Sequence, residues 1–227
     1  MLAKGGEVTG PDALVLTGGD AVPAELAPLL PSDAFVVAAD SGLEHAHALG
    51  RTVDLVVGDL DSVDPDALAA AKAAGAVVER HPVEKDATDF ELALDAARAR
   101  GAQRITVVGG YGGRLDHFLA NALVLGSARW GDAEIVAWIG RARVTVVREH
   151  TEIRGRVGSL CTLLAVGGPA RGVATSGLRY PLDDEVLLPG STRGVSNEHA
   201  VPTAAVTVRV GTVLAVQPNA LDDEMGS

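Results

Sequence analysis

Apolar runs of four or five residues, each followed by a helix-like stretch, set the rhythm of the first two thirds of the chain. Ala13-Leu14-Val15-Leu16 reads as a strand ending at Gly18-Gly19, and Phe35-Val36-Val37-Ala38-Ala39 as a second ending at Asp40. Ser41, with Glu44 three residues on, forms a capping box for a helix reaching Leu49. Asp54 to Val57 predicts a third strand. Asp64 as N-cap, Pro65 at the first helical position and Gly75 as a stop frame the next helix. Ala76-Val77-Val78 predicts a fourth strand, and Thr88 with Glu91 a second capping box for a helix to Arg100, closed by Gly101. Arg104 to Val108 predicts a fifth strand. The glycine turn Gly109-Gly110-Tyr111-Gly112-Gly113 then leads into a helix over Leu115 to Leu125, and Glu134 to Trp138 predicts a sixth strand. This alternation predicts a mostly parallel sheet covered by helices.

Beyond about Arg148 the helical spacing disappears. Val- and Thr-rich runs alternate with Gly and Pro: Ser159 to Val166, Gly172 to Thr175, Glu185 to Leu188, Ala204 to Val210 and Thr212 to Val216. Such spacing predicts a small antiparallel sandwich or barrel. The expected fold class is an α/β N-terminal domain with a mostly parallel, Rossmann-like sheet, plus an all-β C-terminal sandwich or barrel. The expected boundaries are a flexible N-terminus over 1–12, the α/β domain over 13–148, the β domain over 149–217 and a solvated acidic tail over 218–227, which holds Asp222-Asp223-Glu224.

With 227 residues, 47% of them hydrophobic, the chain can build a substantial core, and 3% aromatic content means a core of Ala, Val and Leu. Cys161 is the one cysteine, so neither an intrachain disulfide nor a cysteine zinc site is available. The first eleven residues lack a signal-peptide apolar core, and no run reaches membrane-spanning length; a cytoplasmic protein with no membrane partner is expected. A net charge of −11 argues against nucleic acid. Up to Arg148 there are 13 basic and 21 acidic residues, against 6 and 9 after it, so the acids concentrate in the first part. An acidic protein that handles phosphates must offset the repulsion with a metal, backbone amides or a few placed cations.

Candidate chemistry gathers at the predicted strand ends. Gly58-Asp59-Leu60-Asp61-Ser62 follows the third strand, and carboxylates spaced i, i+2 on extended backbone face one side. Two hard oxygen donors beside an open crevice suit Mg²⁺, although a solvated turn ahead of the Asp64 cap accounts for the same residues. Asp40 follows the second strand, and the loop Glu84-Lys85-Asp86-Ala87-Thr88-Asp89 the fourth. Right-handed crossovers bring such ends to one edge. Carboxylates so gathered raise one another's pKa unless a cation joins them. In the glycine turn, Gly110, Gly112 and Gly113 expose amides able to hold a phosphate, and the turn matches neither dinucleotide-binding nor Walker patterns. Arg114 offers a bidentate fork for phosphate, and Asp116 an acceptor for a polar ring. His117 reads as a structural residue at the helix start. His45 and His47, two apart, share no helix face.

Six segments in order resemble the thiamine pyrophosphokinase family: Ala39-Asp40-Ser41-Gly42, Gly58 to Ser62, Asp86 to Leu94, Gly113-Arg114-Leu115-Asp116-His117, Gly177-Leu178-Arg179-Tyr180-Pro181-Leu182 and Val195-Ser196-Asn197-Glu198. The resemblance runs from about Ala13 to Val216; Ser41 stands where the family more often has glycine. It implies transfer of the terminal diphosphate of ATP to the hydroxyethyl oxygen of thiamine, with release of AMP. By the same resemblance Asp59, Asp61 and Asp89 would hold Mg²⁺. Asp40, Ser41, Asp86 and Thr88 would line the nucleotide and metal site, and Arg114 would face phosphate. Asp116 would meet the thiamine pyrimidine, Tyr180 would stack on thiamine, and Ser196 and Asn197 would complete its pocket. A homodimer with sites shared between subunits is also implied. Read from the residues alone, Tyr180 fits a sandwich edge and Ser196-Asn197 a turn. A diphosphokinase for a pterin-type alcohol, a metal-dependent phosphohydrolase and a non-catalytic thiamine or nucleotide binder are the competing classes.

Overall fold

The apolar runs become the inner strands of one extended sheet. The computed structural model describes residues 11–84 and 86–226. In the first part, β1 (Asp12–Thr17), β2 (Phe35–Ala39), α1 (Gly42–Ala48), β3 (Leu55–Gly58), α2 (Pro65–Ala73), β4 (Val77–Arg80), α3 (Asp89–Ala99), β5 (Arg104–Gly109), α4 (Leu115–Leu125) and β6 (Glu134–Ile139) follow one another. These strands lie in the order β4-β3-β2-β1-β5-β6, each parallel to its neighbours.

Alternate residues of β1 build two separate cores. Ala13 and Val15 pack with Phe90, Ala93 and Leu94 of α3, while Leu14 and Leu16 pack with Leu43 and Ala46 of α1. Burial on both faces explains why these strands read as unbroken apolar runs. Asp64 caps α2 as expected, accepting from the Asp66 and Ala67 amides at 2.7 and 3.3 Å. The capping box expected at Ser41 does not form. Ser41 has helical dihedrals and no side-chain cap bond, because Asp40, at φ 46°, makes the turn into α1 one residue earlier.

The sheet continues past the expected boundary at residue 148. The sequence pattern missed β7 (Ala142–Val147), which is antiparallel to β6, and β8 (His150–Arg154). The two runs expected at Ser159 to Val166 and Gly172 to Thr175 are one 17-residue strand, β9 (Leu160–Ser176). Then come β10 (Glu185–Leu187), β11 (Asn197–Glu198), β12 (Thr203–Thr207) and β13 (Val210–Gln217). Along Thr162–Val166, β9 pairs with β13; along Ala174–Ser176 it pairs with β12. It therefore passes around a third core, built from Ile153, Leu163, Val173, Val206 and Val213. The result is an α/β part joined to a β-rich part.

The ends differ from expectation. Asp12, placed in a flexible terminus by its sequence, begins β1 and pairs with Arg104 at 2.5 Å; residues 1–10 lie outside the described residues. The acidic tail contains α5 (Ala220–Met225), with Ala220 and Leu221 buried in the core beside α1. Its three acids meet partners far back in the chain: Asp222 with Arg141, Asp223 with the Ser159 hydroxyl at 2.8 Å and Glu224 with Arg143 at 2.8 Å. Hydrophobic anchoring by Leu221 plus these partners outweighs the solvation that an acidic run otherwise prefers. Among the described residues no helix is long and apolar enough to cross a membrane.

Candidate active site

Four acidic side chains converge at the carboxyl ends of β2 and β3. Oxygens of Asp40, Asp59 and Asp61 lie within 4.8 Å of one another. Leu60 explains how two of them face outward together. It takes a φ of 64° and is 8% exposed, packed in the core, which turns Asp59 and Asp61 toward solvent on either side. Two non-glycine residues at positive φ, Asp40 and Leu60, thus stand at one site, the kind of backbone strain that collects where geometry serves a ligand. The Asp40 amide donates to the Val57 carbonyl at 3.0 Å, tying the turn after β2 to β3. Asp89 joins from α3, whose start is fixed by Thr88 Oγ1 accepting from the Glu91 amide at 3.2 Å. A side chain at Gly58, whose φ is 147°, would crowd the Asp89 carboxylate, so glycine there leaves room for that acid beside the others.

Electrostatics single out Asp40. Its Oδ1 is buried and has no hydrogen-bond partner among the described residues. Burial pushes its carboxyl above the ordinary range, the Ser41 amide draws it back, and the charges of Asp89, Asp59 and Asp61 push it up further. Like charges held this close, one of them half-desolvated, fit a divalent cation: the donors are hard oxygens, and a cation removes the repulsion.

These acids line one cavity of about 620 Å³, within the usual range for small-molecule sites. Its walls include Ser41, Ser62, Val83, Thr88 and Phe90 on the acidic side, and Gly110, Gly112, Arg114, His117, Phe118 and Asn121 on the glycine-turn side. Thr17, Gly18 and Gly19 from the end of β1 form its floor. Tyr111 of the glycine turn packs edge-on against Phe118, with ring centroids 5.8 Å apart, fixing the turn to α4. A second cavity, between α1 and α2, has walls rich in alanine and gathers no comparable acids.

Of the residues singled out in the sequence, Asp40, Ser41, Asp59, Asp61, Thr88, Asp89, Gly110, Gly112 and Arg114 meet in this cavity. Asp86, Gly113 and Asp116 are not among its walls, and Lys85 lies outside the described residues. Arg114 holds Asp116 in a two-point ion pair, at 2.5 and 3.2 Å, and this bond lowers the Asp116 carboxyl to about 2. Tyr180, Ser196 and Asn197 sit apart, in the β-rich part. Asn197 is buried and its amide serves the backbone of Tyr180: Oδ1 accepts from the Tyr180 amide at 3.0 Å, and Nδ2 donates to the Tyr180 carbonyl at 2.6 Å. The Tyr180 side chain is thereby presented half-exposed, with the Arg179 guanidinium 5.5 Å above its ring. Sequence reasoning missed Thr17, Gly18, Gly19 and Asn121 as cavity residues. Asn121 was findable: it lies seven positions after Arg114, two helical turns along one face of α4.

A cleft outside the carboxyl ends of parallel strands, at the point where strand order reverses between β1 and β5, is where open α/β sheets bind ligands. With the attached β-rich part, the fold and site define a two-domain α/β-plus-β protein with an acidic ligand cleft. Family models match both parts: "Thiamin pyrophosphokinase, catalytic domain" over residues 26–137 and "Thiamin pyrophosphokinase, vitamin B1 binding domain" over residues 146–213. The chain belongs to the thiamine pyrophosphokinase family. Among curated relatives, thiamine pyrophosphokinase 1 of Oryza sativa subsp. japonica is 27% identical over 166 residues, 68% of this chain and 62% of the relative. The chain thus spans less than two thirds of that relative's length. Thiamine pyrophosphokinase of Bacillus subtilis is 27% identical over 143 residues, 62% of this chain and 67% of the relative. The crystal structure of the Bacillus subtilis protein shares the fold, with TM-score 0.79 at 22% identity over 91% of this chain and 98% of that one. That of thiamin pyrophosphokinase from Geobacillus thermodenitrificans has TM-score 0.75 at 25% identity over 91% and 96%.

Proposed function

We propose that the chain transfers the terminal diphosphate of ATP to the hydroxyethyl oxygen of thiamine, giving thiamine diphosphate and AMP, with Mg²⁺ at the acidic cleft. The observation that carries the reading is the meeting of Asp40, Asp59 and Asp61 with the glycine turn and Arg114 in one cavity. Asp59, Asp61 and Asp89 would hold the metal, with Asp40 beside them. Bound Mg²⁺ supplies charge neutralisation and alignment of phosphate oxygens. The amides of Gly110 to Gly113 take up phosphate oxygens, and Arg114 leaves Asp116 to pair with phosphate, freeing the Asp116 carboxylate for the aminopyrimidine. Asp86 flanks the nucleotide at the cleft's rim. The bond from the hydroxyethyl oxygen to the β-phosphorus forms as the bond from that phosphorus to the α–β bridging oxygen breaks; AMP leaves with that oxygen and the hydroxyl proton passes to solvent. Tyr180 stacks on the thiamine ring, held by Asn197 with Ser196 beside it; a cationic thiazolium suits both an aromatic face and an acidic cleft.

Finer features of the fold belong to the same reading. The α/β part, over 13–148, is a Rossmann-like unit with a parallel sheet, and the β part, over 149–217, is a sandwich. The single buried Cys161 suits a cytoplasmic setting. The working unit is a homodimer in which the α/β part of one subunit meets the β part of the other. Support comes from α4: Arg114, Phe118 and Asn121 line the cavity, while Leu115, Leu119 and Leu123 form an exposed apolar stripe on the same helix, 53–69% accessible.

The test of the reaction is incubation with ATP, Mg²⁺ and thiamine, with AMP and thiamine diphosphate measured together. Equal yields that require thiamine are expected. AMP or phosphate release without thiamine makes the protein a phosphohydrolase, and transfer to a hydroxymethylpterin but not thiamine makes it a pterin diphosphokinase. Shared sites are tested by mixing Asp61→Asn and Tyr180→Ala subunits after dissociation. Recovery toward half the wild-type activity per heterodimer is expected; no recovery, with heterodimers confirmed by mass, puts each site within one chain.

A further inference from the structure

Buried beneath the cleft is a histidine that the reaction does not use. His45, on α1, is 6% exposed, and its Nδ1 lies 2.9 Å from the Thr17 carbonyl at the end of β1. A carbonyl oxygen only accepts, so Nδ1 carries the proton and donates. The neighbours of His45 on α1, Leu43 and Ala46, belong to the apolar core. An imidazole among them costs stability unless its polar atoms are bonded, and an aliphatic side chain packs there without that cost. What the imidazole adds is a grip on Thr17.

That grip falls where the two loops of the cavity floor are joined. Thr17 is in register with Gly109 of β5. Gly109 has a φ of 103°, and a side chain on it would strike both the Thr17 carbonyl and the His45 ring, so the contact depends on glycine at 109. Past the end of the sheet, the Gly110 amide donates to the Gly18 carbonyl at 2.8 Å and the Asp20 amide to the Tyr111 carbonyl at 2.6 Å. The loop after β1 and the glycine turn after β5 are thus joined edge to edge by these two bonds, and His45 holds the first loop from below at Thr17. Both loops face the cavity, while His45 does not line it.

We propose that His45 is a positioning residue for the phosphate side of the cleft: its Nδ1–H fixes the Thr17 carbonyl, and through the joined loops holds the amides of the glycine turn in place for a polyphosphate. The proposal rests on the reading above that the cleft binds ATP. Two variants separate the hydrogen bond from the bulk. His45→Asn keeps a donor near the Nδ1 position; His45→Phe keeps the volume and removes the donor. Hydrogen exchange over residues 17–21 and 109–114 tests the joint directly, and the KM values for ATP and thiamine test its use. His45→Phe speeds exchange at the Gly110 and Asp20 amides and raises the ATP KM by about five- to tenfold, the scale of one lost hydrogen bond, while the thiamine KM stays within about twofold. His45→Asn restores both readouts, whatever its melting temperature. Unchanged exchange in His45→Phe overturns the proposal, as does a His45→Asn variant as impaired as His45→Phe, or thiamine and ATP KM values rising in step. Faster exchange in a protein whose wild type does not bind Mg²⁺-ATP keeps the joint and overturns the functional reading instead.

Discussion

Two groups of acidic residues in this molecule are arranged in opposite ways. In the C-terminal helix, Asp222, Asp223 and Glu224 each reach a separate partner: Arg141, Ser159 and Arg143. In the cleft, Asp40, Asp59 and Asp61 turn toward one another, and the buried Oδ1 of Asp40 accepts no hydrogen bond among the described residues. The first group is complete within the chain. The second gathers carboxylate oxygens close enough to suit a divalent cation. Both look alike in the sequence, as short acidic runs; what separates them is that the fold spreads one group over separate partners and draws the oxygens of the other together.

Substitutions in the two groups should diverge accordingly. The largest effect is expected for Asp61→Asn. Turnover falls by about 100-fold or more, the scale of losing a group that acts on developing charge, while cooperative unfolding is retained; near-normal turnover breaks the contrast. Glu224→Gln changes turnover less than about twofold, because its pair with Arg143 lies outside the cleft. Leu221→Ala, which leaves the α5 acids in place and removes their anchor, lowers stability by about 2–5 kcal/mol in urea unfolding. A loss below about 0.5 kcal/mol, the usual scale of surface changes, returns this segment to a solvated tail. Tyr180→Ala, in the β-rich part, weakens thiamine use by about one to two powers of ten, following the roughly 1–3 kcal/mol of ring stacking. Its ATP KM stays unchanged; a rise there instead assigns Tyr180 to the nucleotide site or the core.

Smaller effects appear in the pH dependence of metal-free stability, with opposite signs in the two regions. The Asp40 carboxyl is raised in the folded protein, chiefly by burial. Its contribution is therefore full below the ordinary value of 3.8 and lost as pH rises through the folded value. Asp40→Asn removes that loss and raises the melting temperature at neutral pH without metal. His199, buried in the β-rich part with Nε2 3.2 Å from Gln217 Nε2, is lowered chiefly by burial. Its contribution is full above the ordinary 6.5 and lost as pH falls toward the folded value. Melting curves of the metal-free wild type and Asp40→Asn, taken upward from pH 3.8, and of the wild type and His199→Gln, taken downward from pH 6.5, check the two signs.

The α/β half was legible because its inner strands are buried on both faces and each turn carries its own punctuation, as at Asp64-Pro65 and Gly101. The β-rich half was less so. β7 and β8 gave no turn signal strong enough to separate them from a linker, and Gly167 and Gly172, which suggested a break, instead bend a single strand, β9. In the cleft, Asp59 and Asp61 do meet, but not along the extended backbone that their i, i+2 spacing suggested: they lie beyond β3, brought together by Leu60 at positive φ, which left no mark in the pattern. Asp40 was gathered with Asp59 and Asp61 by the crossover argument and given to the nucleotide and metal site; its buried Oδ1, without a hydrogen-bond partner among the described residues, is a feature of the fold that the pattern does not carry. The α5 acids were read as solvated because their partners, Arg141, Arg143 and Ser159, lie more than sixty positions away.

The central claim is that the cleft carboxylates are arranged for a divalent cation. Calorimetric titration of the wild type and Asp61→Asn with Mg²⁺ in the presence of ATP, at neutral pH, tests it directly. The account predicts saturable Mg²⁺-dependent binding to the wild type, weakened at least about tenfold in Asp61→Asn, a difference of about 1.4 kcal/mol. Equal binding by the two proteins, or no dependence on Mg²⁺ in the wild type, contradicts it.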